Sequence, residues 1–141
     1  MAKIVLRSVE DTERFGEEIA ASLNAGDVLA LSGELGAGKT AFCRGLARGL
    51  GYEGRVTSPT FAIVGEYLGG RLSMFHFDLY RLEGEDELFD IGWEDYLSGG
   101  GVCAVEWAQR APGAFGEDTV WFDFRVLEDG AREVEYGKRE A

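Results

Sequence analysis

Cysteine, proline, histidine and lysine are scarce in this chain of 141 residues, which holds two, two, one and three of them. Each shortage excludes something. Two cysteines, Cys43 and Cys103, make no disulfide framework, and with a single histidine, His76, they offer no spaced zinc motif. A reducing compartment fits that usage. With two prolines and no low-complexity or Pro/Ser-rich stretch there is no linker, so residues 1–141 read as one domain, near the common size of about 100–150 residues. No apolar run approaches the ~18 residues that span a bilayer, and Met1 to Arg7 lack the apolar stretch of a signal peptide. The expected location is the cytoplasm, with no membrane partner. Positive charge is short as well, 14 Lys and Arg against 26 Asp and Glu for a net −12. That balance opposes direct binding to a polyphosphate backbone or an anionic surface.

Glycine is in excess, 21 of 141 residues, about twice the usual share of ~7%. Hydrophobic residues at 45% supply a core. Ser8 heads a capping stretch before Phe15, Ile19 and Leu23, whose four-residue spacing predicts an amphipathic helix ending near Asn24-Ala25-Gly26. Val28-Leu29-Ala30-Leu31 has no polar alternation, as a strand buried on both faces would have. A glycine-rich turn follows, then a helix from Lys39 to Leu50. Phe61 to Leu68 and Arg71 to Phe77 flank Gly69-Gly70, a hairpin signal, and Thr119 to Leu127 and Arg132 to Tyr136 flank Asp129-Gly130 in the same way. Glu85 to Leu97 reads as short helical pieces broken at Gly92, and Val102 to Val105 as a second buried strand. The predicted fold is α/β: a P-loop NTPase-like sheet with parallel core strands and antiparallel hairpin strands, and helices on both faces.

Gly33-Glu34-Leu35-Gly36-Ala37-Gly38-Lys39-Thr40 matches G-x-x-x-x-G-K-[ST] between a strand and a helix, the context this phosphate loop requires. Amides of Leu35 to Thr40 can converge on an anion because Gly36 and Gly38 accept unusual backbone angles, and the helix adds its positive dipole end. Lys39 supplies an ammonium for β- and γ-phosphates, and the Thr40 hydroxyl suits Mg²⁺. The overlapping string Gly36-Ala37-Gly38-Lys39-Thr40-Ala41 also fits a dinucleotide fingerprint, G-x-G-x-x-A. That reading needs an acidic ribose partner about twenty residues on, where the chain has Val56-Thr57-Ser58-Pro59.

Hydrolysis needs an acid near the metal and the attacking water. Asp78 and Glu106 each end an apolar run, and local chemistry leaves both open. His76 alternates with aromatic neighbours as a packed strand residue does. Thr57-Ser58-Pro59-Thr60 reads equally as a plain turn or as a switch that senses a γ-phosphate. Trp107 has the default role of a core aromatic. The Asn/Thr-Lys-x-Asp segment of guanine-specific proteins is missing, since the one asparagine, Asn24, is not followed by lysine. Elimination favours adenine.

In order and spacing, Gly33 to Thr40, Ser58-Pro59-Thr60-Phe61, His76-Phe77-Asp78-Leu79-Tyr80-Arg81-Leu82 and Val105-Glu106-Trp107 resemble the bacterial TsaE family. The resemblance implies a small P-loop ATPase that assists threonylcarbamoylation of the adenosine next to the anticodon in certain tRNAs. It implies that Leu35, Gly36, Ala37, Gly38, Lys39 and Thr40 bind ATP or ADP. Thr40 and Glu106 would hold Mg²⁺, Asp78 would be needed for activity, and Lys39, Asp78 and Glu106 would form the catalytic set. Thr60 would belong to the switch, Trp107 would lie near the nucleotide, and Val9, Ala131 and Arg132 would border the adenine. Ala41 departs from the family, several members of which carry another hydroxyl there.

The resemblance implies protein partners too, TsaD and TsaB, with tRNA reached only indirectly, which accords with the net charge. Without an obvious arginine finger, turnover should be weak alone and stimulated by partners. A small-metabolite kinase would share the phosphate loop but needs an acceptor pocket and an arginine-bearing lid; between residues 78 and 102 stands one arginine, Arg81, amid many acids. A nucleotide-sensing adaptor without useful hydrolysis is the third possibility.

Overall fold

The computed structural model describes residues 1–59 and 62–139. Val28–Gly33 (β2) runs at the centre of a sheet, and its successive residues serve opposite faces. Leu29 and Leu31 enter one hydrophobic cluster and Ala30 the other. A strand covered on both sides requires this unbroken apolar run. Val102–Glu106 (β5) and Met74–Asp78 (β4) repeat the arrangement, with every residue buried. Val120–Val126 (β6), Arg132–Lys138 (β7), Val64–Tyr67 (β3) and Ala2–Leu6 (β1) complete it.

The order across the seven-stranded sheet is β1-β7-β6-β2-β5-β4-β3. β2 is parallel to β5 and β6, and β4 is parallel to β5. The outer pairs, β3 with β4, β6 with β7 and β1 with β7, are antiparallel. Both hairpins fall where expected: Gly69 and Gly70 take φ of 113° and 68°, and Gly130 takes 86°. Side chains without that freedom would resist such turns.

Val9–Ala20 (α1) and Lys39–Gly49 (α2) cover the face that carries Leu29 and Leu31, through Phe15, Phe42 and Leu46. Glu85–Asp90 (α3) and Trp93–Leu97 (α4) bring Leu88 and Trp93 to the other face, and Gly92 at φ 97° separates them. The predicted class, a P-loop-like mixed sheet with helices on both faces, is therefore the observed one. Among the described residues no helix is long and apolar enough to cross a membrane.

Two details differ from expectation. β1 carries no readable pattern, because five residues at a sheet edge bury only Leu6 fully; its place is set by pairing with β7. Helix α1 stops at Ala20 rather than near Asn24. There the amides of Ser22 and Leu23 turn back onto the carbonyls of Ile19 and Ala20, the Asn24 amide donates to the Asp27 carboxylate at 2.8 Å, and the Arg71 guanidinium donates to the carbonyls of Ala20 at 2.7 Å and Leu23 at 3.0 Å.

Candidate functional site

The turn after β2 is built by glycine at two decisive points. At Gly33, φ is 142° and a Cβ would sit 2.6 Å from the Phe124 carbonyl oxygen; at Gly38, the residue before α2, φ is 105°. Gly38, at the N-cap, has no side chain with which to cap the α2 N-terminus. Its first-turn amides, which have no acceptor inside the helix, are thus suited to an anion.

Lys39 opens that helix and folds back over the turn. Its Nζ donates to the carbonyls of Gly33 at 2.9 Å and Glu34 at 2.8 Å, and lies 4.3 Å from the centroid of the Trp107 ring. Burial lowers the Lys39 pKa, while Glu106 and then Asp78 oppose that effect. Trp107 follows β5 with φ at 58°, a left-handed conformation that costs a non-glycine residue about 1–2 kcal/mol. The kink aims the indole at Lys39, and Tyr80 supports it at 4.9 Å between ring centroids. Strain of this kind collects where function demands an orientation.

The two acids end neighbouring parallel strands, and the register sets Asp78 directly opposite Glu106. Each is 3% exposed. Their partners separate them. The Thr40 hydroxyl lies 3.0 Å from Glu106 Oε1 and 2.9 Å from Oε2, whereas Asp78 accepts from the Ser58 hydroxyl at 2.6 Å and the Tyr80 amide at 2.9 Å. Glu106 therefore faces the loop and α2, and Asp78 faces the 57–59 segment. Hydroxyl and carboxylate oxygens side by side are the hard donors that Mg²⁺ takes, so Thr40 and Glu106 fit that cation.

His76 is wholly buried, as its pattern predicts, but it is more than packing: Nε2 lies 2.6 Å from Glu106 Oε2. Cys43, His76 and Glu106 offer ligand atoms within 4.8 Å of one another, a mixed sulfur, nitrogen and oxygen set that spacing along the chain did not announce. Burial first, then Glu106 and Asp78, push the Cys43 thiol well above its ordinary pKa. Of these three residues, Glu106 is the one that also meets the Thr40 hydroxyl.

A cavity of about 430 Å³ is lined by Leu35, Gly36, Ala37, Gly38, Lys39, Thr40, Asp78, Glu106 and Trp107, together with Arg44, Ser58 and Tyr80. The motifs named from sequence thus converge on one hollow. A second cavity of about 260 Å³ continues on the far side of Gly36 and Gly38, where Val9 and Arg132 line it, and the Arg132 guanidinium donates to the Gly36 carbonyl at 3.1 Å. Ala131 is buried, 5% exposed, and lines neither cavity. Thr60 lies outside the described residues. Sequence reasoning did not place Tyr80 or Arg44 in the site. Tyr80, two residues beyond Asp78, and Arg44, one helical turn beyond Thr40, carried the only available signal.

The family described as "Threonylcarbamoyl adenosine biosynthesis protein TsaE" matches residues 6–134. The chain belongs to the TsaE family. A TsaE relative from Treponema pallidum (strain Nichols), named tRNA threonylcarbamoyladenosine biosynthesis protein, is 45% identical over 132 residues, covering 94% of this chain and 97% of that protein. The one from Bacillus subtilis (strain 168) is 42% identical over 127 residues, 90% of this chain and 79% of that protein. The crystal structure of Bacillus subtilis YdiB superposes with a TM-score of 0.84 at 34% identity, covering 97% of this chain and 84% of that one. The family of tRNA threonylcarbamoyladenosine biosynthesis is thus the setting for the TsaE site described above.

Proposed function

We propose that this chain is a Mg²⁺-dependent ATPase that supports threonylcarbamoylation of the adenosine next to the anticodon in tRNA, acting in the cytoplasm on a complex of TsaD and TsaB. The observation that carries the reading is the contact of the Thr40 hydroxyl with both oxygens of Glu106, beside Lys39 and an uncapped helix N-terminus. Thr40 and Glu106 would hold Mg²⁺, which when bound neutralises charge between β- and γ-phosphates. Amides of Leu35 to Thr40 bind the phosphates, Lys39 leaves its two carbonyl partners to meet them, and Trp107 covers the site. Val9 and Arg132, lining the continuation of the hollow past Gly36, border the base.

Asp78, which lines the same hollow and accepts from Ser58 and Tyr80, is suited to orient an attacking water. Arg44 lines the hollow, but its Nε donates to Glu13 at 3.0 Å, so its charge is already answered. A cation beyond Lys39 and the metal would further stabilise the charge that builds on the γ-phosphoryl group, and a partner protein is the natural source. A net charge of −12 leaves contact with tRNA to TsaD and TsaB.

The test is ATP turnover with and without TsaD and TsaB. Faster turnover in the complex is expected, with Asp78→Asn losing about a hundredfold while nucleotide still binds. Equal rates with and without the partners would overturn the proposal.

A further inference from the structure

His76 belongs to β4 and lies two residues before Asp78, on the same face of the sheet; its register partner Ala104 precedes Glu106 by two. Period-two alternation therefore puts His76, Asp78 and Glu106 on one face of the sheet. The His76 side chain is 0% exposed and that of Glu106 is 4% exposed, with 2.6 Å between Nε2 and Oε2. A carboxylate only accepts, so Nε2 carries the proton of this bond. Among the described residues, Nδ1 is buried and has no hydrogen-bond partner. A buried N–H without an acceptor is the costlier choice than a bare lone pair, which selects the tautomer with hydrogen on Nε2 alone.

The consequence falls on Glu106. Its Oε2 is shared between His76 and Thr40, whereas among the described residues Oε1 meets the Thr40 hydroxyl alone. Tyr67, with its ring centroid 6.2 Å from that of His76, backs the imidazole, and its own hydroxyl donates to the Thr57 carbonyl at 3.1 Å.

We infer that His76 is a positioning residue that pins Glu106 Oε2 through Nε2–H and so presents Oε1 toward a divalent cation beside Thr40. This rests on the reading of Thr40 and Glu106 as the cation holders. Removing an outer partner of a metal-holding group costs affinity for the metal first, about 10–100-fold, and leaves the phosphate-gripping amides intact. A histidine that merely fills the core would change stability without singling out the metal.

The experiment is nucleotide binding by calorimetry, with Mg²⁺ titrated and again in EDTA, for wild type, His76→Leu and His76→Gln. His76→Leu is expected to raise the Mg²⁺ needed for half-maximal enhancement of nucleotide affinity about tenfold, with affinity in EDTA unchanged. His76→Gln, whose amide can donate, is expected to recover part of the loss. Wild-type metal dependence that both variants leave unmoved overturns the inference alone. A wild type that binds nucleotide with no dependence on Mg²⁺ overturns the assignment of Thr40 and Glu106 and the inference with it.

The tautomer has its own readout, which needs neither a variant nor metal. Because His76 is the single histidine, a long-range proton–nitrogen spectrum of the wild type reports one ring. Hydrogen on Nε2 is expected, and hydrogen on Nδ1 alone overturns the inference.

Discussion

The Lys39 ammonium rests 4.3 Å from the centre of the Trp107 ring while the carbonyls of Gly33 and Glu34 accept its protons. A cation that reaches for phosphate must leave all three. Titration with Mg-ATP is therefore expected to change the emission of Trp107. Trp93 and Trp121 belong to the hydrophobic cluster on the other face of the sheet and are expected to stay silent. The measurement is steady-state fluorescence of wild type and Trp107→Phe. The signal should vanish in the variant, and an undiminished change there would contradict the movement of Lys39.

The helix that begins at Lys39 is held in place by glycine contact. A Cβ on Gly45 would come within 1.9 Å of the Glu13 carbonyl oxygen, and one on Gly16 within 2.4 Å of that of Phe42, so α1 and α2 meet backbone to backbone. Gly45→Ala is expected to destabilise the fold by about 3 kcal/mol, the upper range for overpacking, and to weaken nucleotide binding by shifting α2. Gly116→Ala, with nothing within 4 Å of the added carbon, is the control and should leave urea denaturation unchanged.

Burial raises the Cys103 thiol from an ordinary 9.0 to about 12. The fold thus favours the neutral thiol, so its contribution is fully present below pH 9 and is lost as pH rises toward 12. The loss is up to about 4 kcal/mol at the alkaline end. Stability measured against pH should fall less steeply over that window in Cys103→Ala than in wild type. At pH 8, a thiol reagent should leave both Cys103 and the equally buried Cys43 untouched until the chain unfolds. Rapid labelling of the native protein would contradict this account of burial.

Much of the fold was legible because its signals are local. The buried runs 28–31 and 102–105, the hairpin glycines and Gly92 each announce their structure within a few residues. The loop at 33–40 did so as well. What escaped depends on neighbours distant in sequence. β1 exists because β7 offers an edge, not because Ala2 to Leu6 have a pattern. The bond between His76 and Glu106 joins residues thirty positions apart, and only strand register brings them together. The difference between Asp78 and Glu106 was invisible locally, since each ends an apolar run. Their different surroundings, Ser58 for one and Thr40 for the other, arise from packing.

Calorimetric titration of the intact protein with Mg-ATP tests the central claim most directly. Saturable heat at one site is predicted, weakened when EDTA removes the metal and again in Thr40→Ala. A well-folded protein that gives no heat with Mg-ATP would contradict the account.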